Sequence, residues 1–131
     1  MTKFALKKIQ AIDGKQDFYE LLIEGESQLE SFYSKIKYNT QLISEVKTIL
    51  SYMQYVSDLK SFLPKEKFRD ITPATMKIKE YEFKSKHLRA YAFHLEKKGK
   101  IVVYWGFKTN QSRDIKIFRS IKKSFLEHHS L

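Results

Sequence analysis

The stretch from Glu80 to Phe107 constrains the fold of this 131-residue chain more than any other. Apolar and polar residues alternate along it, and the alternation breaks at Ser85-Lys86 and again at Lys97-Lys98-Gly99-Lys100. A period of two is typical of strands, and short polar breaks are typical of tight turns. The pattern therefore predicts a meander of three consecutive antiparallel strands. Their expected bounds are Met76–Lys84, His87–Leu95 and Lys100–Phe107, and the last is placed centrally because it is the most hydrophobic.

The residues before this meander predict a strand hairpin and then two helices. Lys3–Ile12 and Asp17–Glu24 flank Asp13-Gly14, a strong turn signal, so we predict a hairpin, with a helix beginning at Asp17 as the alternative. Apolar residues at helical spacing then predict helices from Ser27 or Glu26 to Lys37 and from Gln41 to Leu59, with Thr40 as the N-cap of the second. Such a helical hairpin needs a sheet to cover its apolar face.

The remaining segments complete a single α+β domain. Residues 61–73, which contain both prolines, form the expected connector, and Met76–Lys84 is then expected at a sheet edge. Thr109–Arg113 reads as a polar loop, and Asp114–Glu127 as an amphipathic C-terminal helix. We therefore predict one domain spanning residues 1–131, an antiparallel sheet packed against a helical hairpin, in which residues 1–16 are a possible N-terminal addition.

Charge is distributed unevenly along the chain. The formal net charge is +10, and residues 73–131 hold 14 Lys or Arg against 5 Asp or Glu, whereas residues 1–72 hold 11 against 10. A clustered positive field favours a polyanionic partner: nucleic acid, an anionic membrane or an acidic protein. The alternative is a lysine-rich surface that only keeps the protein in solution.

Several kinds of site are disfavoured by composition. The chain has no cysteine, which excludes disulfides, thiolate zinc sites and a cysteine nucleophile, and favours the cytoplasm. No window approaches the roughly 20 apolar residues of a membrane span, so no membrane partner is expected. Histidines and carboxylates do not converge in the sequence, so we expect no metal and no small-molecule cofactor.

A set of basic and aromatic side chains remains as the candidate chemistry. Its members are Lys84, Lys86, His87, Arg89, Tyr91, Lys108 and Arg113. RNA cleavage by the 2′-hydroxyl needs only a positioned backbone, stabilisation of charge on phosphorus and the handling of two protons. Each residue also has a non-functional interpretation. Lysines are common at turns because they are soluble, His87 can be a half-buried surface residue, and Tyr91 can be part of the sheet packing. Arg89 is the most unusual, because an arginine within an apolar strand must reach an anion or pair with Glu80 or Glu82.

Three motifs resemble the sheet of RelE/HigB-type toxins of the RelE/ParE superfamily, and most closely the phage-derived Gp49-like branch. They are YEFK from Tyr81, LRAYAF from Leu88 and IVVYWGFK from Ile101, followed by a basic amphipathic helix. The resemblance covers about residues 18–126 and is specific over 80–109. It implies a RelE-like, microbial-RNase-like fold. It also implies a toxin that cleaves mRNA on the ribosome and is silenced by a cognate antitoxin, which we expect to be a helix-turn-helix protein.

The resemblance assigns roles position by position. Lys84 and Arg89 each stand where the family has an arginine, and the arginine at the position of Arg89 is the family's phosphate-binding one. Lys108 stands where the family has a basic residue after Gly-Phe. We therefore expect Arg89 and Lys84 to bind phosphate and the transition state, and His87 or Tyr91 to handle the proton. Lys86, Lys108 and Arg113 are expected to support RNA binding.

Two departures keep other functions open. Glu80 and Glu82 stand where better-known RNase members carry strand lysines and would repel a phosphate, although on an edge strand such a pair is more often simply solvated. The basic run after Gly-Phe is also thinned. Both departures favour a non-catalytic or gyrase-directed ParE-like toxin. A third possibility is a protein-interaction module whose positive half docks an acidic helix.

Overall fold

A mixed sheet of seven strands forms the middle layer of the structure, a computed structural model that describes residues 2–59 and 63–128. The strands are β1 Phe4–Lys8, β2 Phe18–Ile23, β3 Glu26–Ser27, β4 Phe68–Asp70, β5 Glu80–Lys84, β6 Leu88–Leu95 and β7 Gly99–Phe107. Their spatial order is β1-β2-β7-β6-β5-β4, and β3 pairs with β2. Together with the helices described below, this sheet confirms the predicted α+β class.

Helices cover both faces of the sheet. The hairpin of α1 (Gln28–Ile36) and α2 (Thr40–Ser57) packs on one face, where Phe18, Phe83 and Trp105 join a cluster with the apolar residues of both helices. The C-terminal helix α3 (Gln111–His128) packs on the other face. There Phe118 and Phe125 contact a second cluster that contains Tyr91 and Phe93. The expectation that a sheet covers the helical hairpin is confirmed.

The predicted meander is confirmed, with changes at its start. Strands β5, β6 and β7 pair antiparallel in sequence order, and β7 lies centrally between β6 and β2. The first strand begins at Glu80 rather than Met76, and it is not an edge strand because β4 pairs with it. A Phe-Arg-Asp strand of 3 residues is too short to show a period, so the sequence pattern places it within the connector. Residues 61 and 62 of that connector lie outside the described residues.

The N-terminal hairpin is also confirmed, and the strand reading of residues 17–24 is the right one. The sheet as a whole is mixed rather than antiparallel, because β2 runs parallel to β7 with Phe18 opposite Lys100. After β2 and β3 the chain forms both helices on one face and returns to the sheet at β4. The β1–β2 hairpin is joined to the meander by the parallel pairing of β2 with β7.

Helix starts depend on caps that the sequence partly shows. Ser27 Oγ accepts a hydrogen bond from the N–H of Glu30 at 3.1 Å and caps α1, close to the start predicted at Ser27 or Glu26. Asn39, rather than Thr40, caps α2, because Asn39 Oδ1 accepts from the N–H of Leu42 at 3.1 Å. The predicted polar loop over residues 109–113 is wrong: Lys108–Asn110 form a 3₁₀ turn, and α3 begins at Gln111.

No helix in the described ranges, 2–59 and 63–128, is long and apolar enough to cross a membrane.

Candidate phosphate-binding site

A basic pocket opens at the end of the sheet where the β5–β6 turn meets α2 and the 3₁₀ turn. Its volume is about 440 Å³. It is lined by Tyr52, Glu66, Lys67, Lys84, Ser85, Lys86, Arg89 and Lys108. Five of these side chains are Lys or Arg and one is Glu, so the pocket carries a strong positive excess. An open pocket with this charge fits an oxyanion such as a phosphate.

Backbone pairing brings the lysines of this pocket together from distant parts of the chain. Lys84 lies directly opposite Arg89 in the β5–β6 ladder. The N–H of Lys84 donates to the carbonyl oxygen of Lys67 at 2.8 Å, and the N–H of Lys108 donates to the carbonyl oxygen of His87 at 2.8 Å. The pocket is therefore built on strand ends, which hold side-chain positions more firmly than a free loop does.

Arg89 is the buried cation of the pocket. It is 5% exposed, and its Nη1 donates to the carbonyl oxygens of Ser85 at 2.6 Å and Leu88 at 2.8 Å. Its Nε has no partner, and within the described ranges no carboxylate lies at ion-pair distance from it. The alternative in which Arg89 pairs with Glu80 or Glu82 is therefore wrong. A buried guanidinium held only by carbonyls keeps its full charge available for an external anion.

Glu80 and Glu82 are buried under α3 rather than solvated at an edge, so that expectation is wrong. Glu80 accepts from Arg119 Nε at 2.9 Å and from Lys122 Nζ at 2.7 Å. Glu82 accepts from Gln111 Nε2 at 2.6 Å, and Arg69 lies 3.3 Å from its other oxygen. Both carboxylates have cationic partners and neither lines the basic pocket. The repulsion of phosphate expected from them is therefore largely offset.

His87 is held by a carboxylate on α2. Its Nδ1 lies 2.6 Å from Glu45 Oε2, and its backbone N–H donates to Glu45 Oε1 at 2.7 Å. The hydroxyl of Ser85 donates to the same oxygen at 2.5 Å. The side chain of His87 is 49% exposed. A carboxylate at Nδ1 favours the tautomer with the proton on that nitrogen, which leaves Nε2 free to exchange a proton.

Glu45 itself is nearly buried and remains ionised. Burial alone would raise its pKa, but the hydrogen bonds from Ser85, from the His87 ring and from the His87 N–H outweigh burial and lower the pKa of Glu45 to about 2. A permanent negative charge thus lies behind His87 at neutral pH, and it fixes the β5–β6 turn to α2.

Two of the predicted site residues lie elsewhere. Tyr91 is fully buried on the α3 face, and burial, with Glu82 and Asp114 nearby, raises the pKa of its hydroxyl. It does not line the basic pocket and cannot readily give up a proton there. Arg113 is 65% exposed at the start of α3, with its Nε 3.3 Å from Asp114 Oδ1. The structure therefore brings together Lys84, Lys86, Arg89 and Lys108, places His87 beside them, and separates Tyr91 and Arg113 from them.

Four residues of this region were not predicted from the sequence: Glu45, Tyr52, Glu66 and Lys67. Glu45 carried a signal, because it lies three residues after Leu42 and four before Ile49 and so falls on the inward stripe of α2. A carboxylate on an apolar stripe has to find donors. The sequence carries no such signal for Lys67, because this residue reaches the pocket only through the pairing of the short β4 segment with β5.

Within residues 2–59 and 63–128, no three His, Cys, Asp or Glu side chains are grouped so that they could hold a metal ion. Comparisons with protein-family models, with curated proteins and with solved structures found no match for this chain.

Proposed function

We propose that the protein is the toxin of a toxin–antitoxin module and acts as an endoribonuclease on mRNA at the ribosome. The observation that carries the proposal is the basic pocket, in which a buried Arg89 without a carboxylate partner is surrounded by lysines. The strand motifs that resemble RelE/HigB-type toxins support it, because Lys84, Arg89 and Lys108 of those motifs all line the pocket.

The proposed reaction is attack of a ribose 2′-oxygen on the adjacent phosphorus. The bond from phosphorus to the 5′-oxygen of the next nucleotide breaks, and a 2′,3′-cyclic phosphate and a 5′-hydroxyl remain. Arg89, Lys84 and Lys108 stabilise the negative charge that grows on the phosphoryl oxygens. His87 accepts the proton of the 2′-hydroxyl at Nε2 and then donates a proton to the departing 5′-oxygen, while Glu45 holds its Nδ1. No metal or cofactor is required by this scheme.

The proposed setting is the cytoplasm, where a cognate antitoxin would silence the toxin. We expect a helix-turn-helix antitoxin whose acidic residues cover the basic pocket, because a positive pocket selects a negative partner segment. Ribosome-bound mRNA is the proposed substrate.

Induced expression with mapping of mRNA 5′ ends tests this function. The wild-type chain is expected to arrest growth and to create new ends within translated mRNA. Arg89→Ala and His87→Ala are expected to lose at least 100-fold in cleavage, on the order of what a positioned charge or proton carrier contributes. Lys116→Ala, at an exposed position of α3 outside both this pocket and the one described below, is the matched control. Unchanged transcripts in cells that accumulate folded wild-type protein would contradict the proposal.

One observation favours a second candidate, a non-catalytic toxin of the gyrase-directed ParE type. His87, the proposed proton carrier, is not among the side chains that line the pocket. A pocket of this kind could bind a polyanion without cleaving it. Inhibition of DNA supercoiling by the purified protein, with RNA left intact on ribosomes, would support this candidate. Cleavage of ribosome-bound mRNA would dismiss it.

A further inference from the structure

A second, smaller cavity adjoins the same 3₁₀ turn as the basic pocket. Its volume is about 120 Å³. It is lined by Phe32, Lys35, Tyr104, Trp105, Gly106, Phe107, Asn110, Arg113 and Asp114. We call it the edge pocket. It is formed where α1, the end of β7 and the beginning of α3 meet. It shares no lining residue with the basic pocket.

Aromatic rings form the walls of the edge pocket. The ring of Phe32 lies 5.4 Å from that of Phe107 and is stacked on Trp105 at 6.3 Å, measured between centroids. Tyr104 and Phe107 are only partly buried. Aromatic side chains that present a face or edge to a small cavity are suitable for stacking with another flat ring.

The backbone of β7 is open along this pocket. Strand β2 pairs with β7 only from Lys100 to Val102, whereas β6 pairs with it as far as Phe107. Within the described part of the chain, residues 104–107 therefore have a strand on one side alone. An unpaired strand edge offers backbone donors and acceptors that lie in one plane. A flat ligand with hydrogen-bonding groups at its rim fits such an edge.

Asp114 contributes an unsatisfied acceptor to the same pocket. It is 1% exposed, its Oδ1 lies 3.3 Å from Arg113 Nε, and its Oδ2 has no partner. The oxygen packs against Gly106, where a Cβ would overlap it. Burial raises the pKa of Asp114, and the neighbouring Arg113 and Lys35 act in the opposite direction. A buried carboxylate oxygen without a donor is costly, so a ligand that supplies an N–H gains from meeting it.

The two pockets share the 3₁₀ turn. Lys108 lines the basic pocket and Asn110 lines the edge pocket. Phe107, which also lines the edge pocket, directly precedes Lys108 in the chain. The two pockets are therefore adjacent along this segment, which suits one nucleotide with its phosphate in the first and its base in the second.

We propose that the edge pocket is a nucleobase subsite that selects bases with an exocyclic amino group. Guanine, adenine and cytosine each present an amino N–H to the Asp114 carboxylate, whereas uracil flanks its single N–H with two carbonyls that the carboxylate repels. The inference rests on the proposed binding of RNA phosphate in the basic pocket, which it extends to the adjoining base.

Fluorescence of Trp105, the single tryptophan of the chain, reports on the edge pocket directly. The test titrates purified protein with inorganic phosphate, ribose 5-phosphate and the 5′-monophosphates of guanosine, adenosine, cytidine and uridine. The three amino-bearing nucleotides are expected to bind about tenfold more tightly than uridine monophosphate or ribose 5-phosphate, as for one well-placed base contact. Asp114→Asn should reduce that preference to within about twofold and leave phosphate affinity unchanged. Ser112→Ala, at an exposed neighbouring position, is the matched control.

The outcomes separate this inference from the proposed function. Equal affinity for ribose 5-phosphate and all four nucleotides would overturn the base subsite and leave the basic pocket intact. No binding of phosphate, ribose phosphate or nucleotide would contradict the phosphate site itself. A base preference that persists in folded Asp114→Asn protein would overturn the role of Asp114. If that variant does not fold, wild-type amide shifts decide: nucleotide-induced shifts at Trp105 and Gly106 support the subsite, and their absence contradicts it.

Discussion

Glu45, Arg89 and Lys100 show three ways in which single residues of this chain bury a charge. Glu45 is held by donors from Ser85 and His87. The hydrogen bonds that Arg89 donates go to the backbone carbonyl oxygens of Ser85 and Leu88. Lys100 is 6% exposed, and its Nζ donates to Gln16 Oε1 at 2.7 Å. The three charges have different partners, so we expect them to respond differently to mutation and pH.

Glu45→Gln is predicted to destabilise the fold and to remove a pH dependence. The pKa of Glu45 is about 2 in the folded protein against 4.5 in a model peptide, so the unfolded chain binds more protons between these values. Its stabilisation is therefore full above about pH 4.5 and is lost as pH falls towards 2. We expect a loss of about 2–3 kcal/mol at pH 7, measured by urea unfolding.

The matched control for this change is Glu127→Gln at an exposed position of α3. It should alter the unfolding free energy by less than about 0.5 kcal/mol at any pH. Parallel acid profiles for wild type and Glu45→Gln would show that the carboxylate is not held as described.

Lys100→Met is predicted to stabilise the protein at neutral pH. Burial lowers the pKa of Lys100 to about 8, so the folded protein binds fewer protons than the unfolded chain up to about pH 10.5. Stability should therefore rise with pH between 8 and 10.5. Its neighbours are the Tyr81 ring and His94, whose own pKa is lowered by burial and by Lys100.

In Lys100→Met the alkaline rise should disappear, with a gain of about 1–2 kcal/mol at pH 7. Lys97→Met, at an exposed position, should keep the wild-type profile. Thermal unfolding between pH 7 and 10.5 measures both, and a loss of stability in Lys100→Met would show that the bond to Gln16 outweighs burial of the charge.

At the scale of secondary-structure elements, polar contacts fix how α3 lies on the sheet. Arg119 and Lys122 both reach Glu80 of β5, and Arg119 Nη2 also donates to the carbonyl oxygen of Ile71 at 2.9 Å. Gln111 reaches Glu82 about two turns before Phe118, which packs in the apolar cluster on this face. The helix is therefore held in a defined register along β5.

Glu80→Ala is predicted to cost about 3–5 kcal/mol, because it leaves Lys122, which is 2% exposed, without a counter-charge. The double variant Glu80→Leu with Lys122→Met should recover most of that loss, since an apolar pair can replace a buried ion pair. Chemical denaturation measures both, and Lys79→Ala on the exposed side is the control. If the single and double variants are equally destabilised, the ion pair does not account for the docking of α3.

The elements that the sequence predicted well are those with long, regular periods. The three-strand meander and the α2 stripe each repeat several times, so their period stands out. The start of α3 was missed because Gln111, Ser112 and Arg113 are polar, and the contact of Gln111 with a buried Glu82 is visible only in three dimensions. Strand β4 was missed because 3 residues show no period.

At the scale of the whole molecule, the sheet brings basic side chains from several parts of the chain together in one pocket. Four predicted residues line it, and they come from the turn and strand ends of the meander, whose order in space follows their order in sequence. Lys67 comes from outside that stretch and could not be predicted. The neutralisation of Glu80 and Glu82 could not be predicted either, because their cationic partners lie on β4 and α3, more than ten residues away in the chain.

Binding of a short single-stranded RNA, measured over a range of salt concentrations, tests the basic pocket most directly. Wild-type protein should bind with an affinity that falls as salt rises. Arg89→Ala should weaken binding at least tenfold, whereas Lys116→Ala, which removes an equal charge at an exposed position of α3 outside both pockets, should weaken it by less than about threefold. Equal losses in the two variants, or wild-type protein that binds no RNA at low salt, would contradict a phosphate site at Arg89.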